Sequence, residues 1–204
     1  MITVSTVGLI PEMRRFSRES RAVMAVSLHA TTDEVRDWIV PVNRREGLQA
    51  LIECMEELFP KSSAAPRHGH HVLIEYIMLR GVNDSDDDAR RLVQLTQSIR
   101  CKINLIVFNP HAGTSFQPST PERVYAFRSI LIQARRPQQH THSLTATHTQ
   151  PHCHVATVRD SRGDDQMAAC GQLGSPELGS SRPPPLLAPP ERLLGAVAAA
   201  DLAA

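Results

Sequence analysis

Short apolar runs rich in β-branched residues alternate with amphipathic stretches from residue 2 to about residue 134. The runs at 2–6, 23–28, 72–79 and 103–108 have the length and composition of buried strands. The stretches at 11–18, 32–39 continuing into 47–58, 85–99 and 121–133 carry the three-to-four spacing of helices with one apolar face. Strand and helix in strict alternation predict four β/α units on a parallel sheet. Two helix starts are marked by chemistry. Thr31 precedes Glu34 by three residues, the spacing of a reciprocal cap, and the acidic run at 84–88 puts negative charge where a helix dipole favours it.

The pattern stops after residue 134. Residues 135–154 are rich in His, Gln and Thr without periodicity, which predicts a disordered insertion. Residues 155–173 offer one more short strand, at 155–159, and a segment ending in Cys170, read as part of the same domain as 1–134. Residues 174–204 form a Pro- and Ala-rich tail, expected to be disordered apart from a helix candidate at 191–202, since Pro183, Pro184, Pro185, Pro189 and Pro190 interrupt any longer one.

With 41% hydrophobic residues, 21% charged and a net charge of +1 over 204 residues, the composition is that of a globular chain. No run is apolar for long enough to span a bilayer, so no membrane partner is expected, and a cytoplasmic setting is the default. A near-zero charge supplies no basic field and leaves nucleic-acid binding open in both directions. The four cysteines, Cys54, Cys101, Cys153 and Cys170, include no CxxC pair and read as reduced thiols. His140, His142, His148, His152, Cys153 and His154 are potential zinc or copper ligands by chemistry, but a low-complexity tract is the plainer reading, and no metal ligand is assigned.

Polar residues gather where the predicted strands end: Ser5 and Thr6, then Ser27 and His29 flanking Leu28, then Asn109 before Pro110. Both a Rossmann-like sheet and a β/α barrel bind ligands at that carboxyl edge, and neither GxGxxG nor a P-loop is present to separate them. Ser5 and Ser27 have a purely structural alternative, satisfying strand-end backbone groups while His29 caps a loop.

Five segments in order, ITVSTVGLIPEMRRF, AVSLHATTDEVRDWIVPVNRREGL, IEYIMLRGVNDSDDDARRL, CKINLIVFNP and SRGDDQMAACGQL, resemble the RlmN/Cfr family of radical-SAM adenine-C2 RNA methyltransferases. The resemblance implies an α/β fold, the last four units of a partial (β/α)6 barrel, with the first two units unaccounted for. It implies S-adenosyl-L-methionine (SAM) and a 4Fe-4S cluster as cofactors, and places SAM contacts at Ser5, Ser27, Leu28, His29 and Asn109. The implied substrate is adenine C2 of large-subunit rRNA, with tRNA as a further substrate and C8 as the position that Cfr-like members modify. A flavodoxin- or ferredoxin-type reductant is the implied protein partner, and an organelle such as the chloroplast is an alternative compartment.

The resemblance also singles out Cys170, in ACGQL, as the catalytic residue that carries a methyl group between two SAM molecules. Such a carrier suits the chemistry, because adenine C2, flanked by two ring nitrogens, is too electron-poor to attack the sulfonium methyl itself. Three departures stand beside it. The CxxxCxxC cluster loop and the Gly-Gly-Glu motif of the family do not occur, so this chain is expected to be inactive or incomplete alone. The family joins its last helix to its last strand with only a few residues, where 135–154 intervene here. Its FNPxPG turn reads FNPHAG, with Ala112 in place of proline. The alternative from another class is a noncatalytic α/β protein that keeps only the partial barrel.

Overall fold

A computed structural model describes residues 2–61, 71–110, 114–134, 156–159 and 189–193. Within them β1 (Thr3–Thr6), β2 (Val23–Ser27), β3 (Val72–Met78), β4 (Cys101–Val107) and β5 (Ala156–Arg159) form one sheet in chain order, every neighbouring pair parallel. The helices are α1 (Ile10–Glu19), α2 (Asp33–Ile39), α3 (Leu48–Leu58), α4 (Asp86–Leu95) and α5 (Pro121–Gln133). The 135–154 segment, Cys153, Cys170, Ala112 and most of the tail, including the helix candidate beyond Leu193, lie outside the described residues.

The five-strand sheet adds β5 to the four expected units, pairing Asn104 with Thr157 and Leu105 with Val158. The cap of α2 is Thr32, whose hydroxyl accepts the Val35 amide at 3.4 Å, and not Thr31, whose hydroxyl donates to Asp88; two helix limits change as well. The stretch read as α2 continuing into α3 is interrupted by a 3-10 turn, Pro41–Arg44. Proline at position 41 has no N–H to give the preceding turn of helix, so the chain turns there. The helix expected to reach residue 99 ends at Leu95, where Thr96 Oγ1 turns back to the Leu92 carbonyl at 2.8 Å and competes with the next helical bond.

Alternation along the strands decides which face is buried. Val72, Ile74, Tyr76 and Met78 of β3, with Met24 and Val26 of β2 and Ile103 and Leu105 of β4, share one core with Met13 of α1, Leu51 and Met55 of α3, Leu92 of α4 and Phe127 of α5. The helices thus cover the sheet face to which these residues point. The intervening residues of β3, Leu73, Glu75 and Ile77, are only half-buried. A second apolar cluster, Ala30, Val35, Trp38, Leu79, Val82, Phe108 and Leu193, gathers residues that follow β2, β3 and β4. Phe116 meets Trp38 and Phe108 edge-on, with ring centroids 5.0 and 6.3 Å apart.

Candidate functional site

Side chains that alternate away from the helix-covered core form a polar row across the second face of the sheet. Ser27, the last residue of β2, is in register with Glu75, Glu75 with Asn104, and Asn104 with Thr157. Partners in register point to the same face of a parallel sheet. Ser5 on β1 reaches the same row, its Oγ donating to Glu75 Oε2 at 3.3 Å. Thr157 Oγ1 donates to Asn104 Oδ1 at 2.9 Å, and Asn104 is buried. Hydroxyls, a carboxylate and an amide on one face can accept and donate to ribose hydroxyls or an ammonium group.

The turn after β2 is held by its surroundings. His29 adopts φ 59°, the left-handed region that a non-glycine residue enters only when the structure around it fixes the backbone. Asn83 does much of the fixing. Fully buried in the loop after β3, it donates through Nδ2 to the carbonyls of His29 and Ile77, both at 2.7 Å, and accepts the Leu79 amide at 2.8 Å. The His29 ring accepts the Ile77 amide at Nδ1, 3.2 Å away. Burial first, and the neighbouring Arg36 cation second, lower the imidazole from its ordinary 6.5 to about 4, so it is neutral at physiological pH.

The residues expected to hold SAM therefore divide. Ser5 and Ser27 stand together beside Glu75, and His29 follows them at the carboxyl end of β2 with its Nδ1 engaged by β3. Asn109, half-buried, follows β4 by two residues. Leu28 differs: its side chain is fully buried in the helix-side core, its amide donates to the Glu75 carbonyl at 3.0 Å, and its own carbonyl is taken by Arg36. Sequence reading missed Glu75 and Asn104. The signal was there for Glu75, a carboxylate inside the otherwise apolar strand VLIEYIM, at the parity of the half-buried positions.

Among the described residues no group of three or more His, Cys, Asp or Glu stands where it could hold a metal ion. Cys54 and Cys101 are buried, on α3 and β4, and burial raises the Cys54 thiol above its usual range. Three converging thiolates, which an iron–sulfur cluster with an open iron requires, are not among these residues. No helix among them is long and apolar enough to cross a membrane.

No protein-family model matches the chain. Over 174 residues, 85% of its length, it is 42% identical to the dual-specificity RNA methyltransferase RlmN of Dinoroseobacter shibae, and 43% identical to that of Methylorubrum extorquens. It spans 38% and 36% of the length of those two proteins. Its structure is similar to the crystal structure of a radical SAM methyltransferase from Sphaerobacter thermophilus, with a TM-score of 0.67 and 37% identity, covering 84% of this chain and 43% of that one. A domain of pyruvate-formate lyase-activating enzyme from Bacteroides vulgatus shares the fold alone, at a TM-score of 0.52 and 14% identity over 77% of this chain and 80% of that one.

Proposed function

The chain belongs to the RlmN family, of whose members it spans about 38% of the length, and on that premise we propose that it carries the SAM-holding and methyl-carrying part of an RNA adenine methyltransferase. The full reaction would move a methyl group from SAM to C2 of an adenine in large-subunit rRNA, with tRNA as a second substrate. Ser5, Ser27, the backbone at Leu28 and His29, and Asn109 would hold SAM at the carboxyl edge, with Glu75 added to them. Cys170 would be the methyl carrier: its thiolate takes the methyl as the sulfonium C–S bond breaks, S-adenosylhomocysteine leaves, and the thiol proton goes to solvent.

The described residues do not fit an iron–sulfur cluster, so the cluster's chemistry is not assigned to them. The barrel of which these units would be the last four, the rRNA substrate, a flavodoxin- or ferredoxin-type electron donor and a cytoplasmic or organellar setting belong to the same reading. What supports it most is the 42% identity, because it extends over 85% of the chain.

Calorimetric titration with S-adenosylhomocysteine, which occupies a SAM site without reacting, tests the binding half. Saturable binding that weakens at least tenfold in Ser27→Ala and in Asn109→Ala is expected. An absence of saturable binding up to millimolar ligand would remove the SAM assignment.

A further inference from the structure

We propose that Arg36 is a positioning residue for this site, a group that ties the segments just beyond β1 and β2 to one another; the inference rests on the SAM reading of those strand ends. Arg36 lies on α2 and is completely buried. Its guanidinium donates from Nε to the Leu28 carbonyl at 3.0 Å and from Nη2 to the carbonyls of Val7 and Ser27 at 2.8 and 3.3 Å. The remaining nitrogen, Nη1, donates to Asn43 Oδ1 at 2.7 Å. Three of the four acceptors are therefore backbone oxygens of the segments that carry Ser5 on one strand and Ser27 to His29 on the next.

A buried cation is an expensive way to satisfy carbonyls. Removing a guanidinium from water costs more than hydrogen bonds to neutral acceptors usually return. Among the described residues no ion pair involves Arg36. Its nearest anionic support is indirect: Asn43, also buried, donates to Asp33 and Asp37, both at 2.7 Å. Burial lowers the guanidinium to about 10 against the pull of those two carboxylates, which still leaves it charged at neutral pH.

Geometry explains the choice better than stability does. A planar fork with fixed donor directions can hold carbonyls from two strands at one spacing, which neither an apolar side chain nor a flexible ammonium does. The neighbourhood is built around it. Gly8 sits at φ 104°, a backbone that side chains rarely adopt, and a Cβ there would press on Leu51 at 3.1 Å and touch Arg36 Nη2 at 3.4 Å. The same cation helps to keep His29 neutral.

The test uses the full chain, S-adenosylhomocysteine as the probe, and thermal melting beside calorimetry. Arg36→Met leaves the Val7, Ser27 and Leu28 carbonyls and Asn43 Oδ1 without their donor, so it should melt several degrees lower, and the protein that remains folded should bind at least tenfold more weakly. Arg36→Lys, which keeps the charge and loses the fork, should bind several-fold more weakly, and it carries the test where the Met variant does not fold. A purely structural role would lower the melting temperature and leave the affinity of the folded protein unchanged. Folded variants that bind as tightly as the unaltered chain overturn the inference. An unaltered chain that fails to bind removes the site reading itself, and the inference with it.

Discussion

Ser5 on β1 and Glu75 on β3 meet through a 3.3 Å hydrogen bond, hydroxyl to carboxylate, although β2 lies between their strands. Two side chains can bridge a strand in this way only from the same face of the sheet, so the pair marks the face that the helices leave to the polar row. The contact is exposed, and exposed polar pairs contribute at most about 1 kcal/mol to folding. Glu75→Gln should therefore leave the urea midpoint almost unchanged. On the proposed SAM reading it should weaken S-adenosylhomocysteine about tenfold, roughly 1.4 kcal/mol, because a neutral amide replaces the carboxylate that would face the ligand's ammonium or ribose. Unchanged affinity in a normally folded Glu75→Gln would take Glu75 out of the site.

His29 makes stability depend on pH. Its folded value, about 4, lies below the ordinary 6.5, so on acidification the unfolded chain takes up the proton first. The contribution is complete above pH 6.5 and declines as pH falls from there to about 4. It is on the order of 3 kcal/mol across that window. Asparagine tolerates the left-handed backbone and does not titrate, so in His29→Asn this part of the decline should vanish. Urea unfolding at half-unit pH steps would show it; identical slopes for both proteins would mean that His29 is not held neutral.

The 3-10 turn Glu191–Leu193 makes the only tryptophan of the chain a reporter. Leu193 and Trp38 are both about 95% buried, in one apolar cluster with Val35, Leu79, Val82 and Phe108. Removing residues 189–204 should uncover the indole and move its emission to longer wavelength, and Leu193→Ala should cost about 2 kcal/mol or more as a buried truncation. Emission that stays where it was would show that Leu193 does not cover Trp38.

The parallel order of the strands and most of their limits follow from hydrophobic runs, because buried parallel strands are uniformly apolar and the helices between them are not. Leu28 shows what period adds: it continues the alternation of Met24 and Val26 and so belongs to the helix side, whatever its neighbours Ser27 and His29 contact. Arg36 was not legible. In DEVRDWI a cation between acids reads as solvated helix surface, and only tertiary placement brings it under the carbonyls of Val7, Ser27 and Leu28. The break at Pro41 was legible in principle, since proline ends a helix by losing a donor. The polar row needed register, which a single strand does not contain.

The acidic start of α4 separates a buried carboxylate, Asp88, from a half-buried one, Asp86, and an exposed one, Asp87, and supplies the sharpest stability contrast. Ser85 and Asp88 form a reciprocal cap: the Ser85 hydroxyl accepts the Asp88 amide at 3.1 Å, and Asp88 Oδ2 accepts the Ser85 amide at 3.3 Å. The other carboxylate oxygen of Asp88 takes the Thr31 hydroxyl at 2.7 Å and the Arg91 guanidinium, so one buried anion ties the helix start to the segment just beyond His29. Asp88→Asn keeps the shape but turns an acceptor of several donors into a group that must itself donate, and it removes the carboxylate that pairs with Arg91, which keeps only the Thr31 hydroxyl at Nε. Loss of a buried, multiply bonded carboxylate costs about 2–4 kcal/mol. Arg90, by contrast, pairs with Asp86 and Asp87 at the exposed surface, where such pairs contribute about 0.5 kcal/mol. Urea midpoints of Asp88→Asn and Arg90→Ala should therefore differ several-fold in their displacement from the unaltered chain. Equal displacements would mean that the cap, and with it the tie between α4 and the turn after β2, does not form in solution.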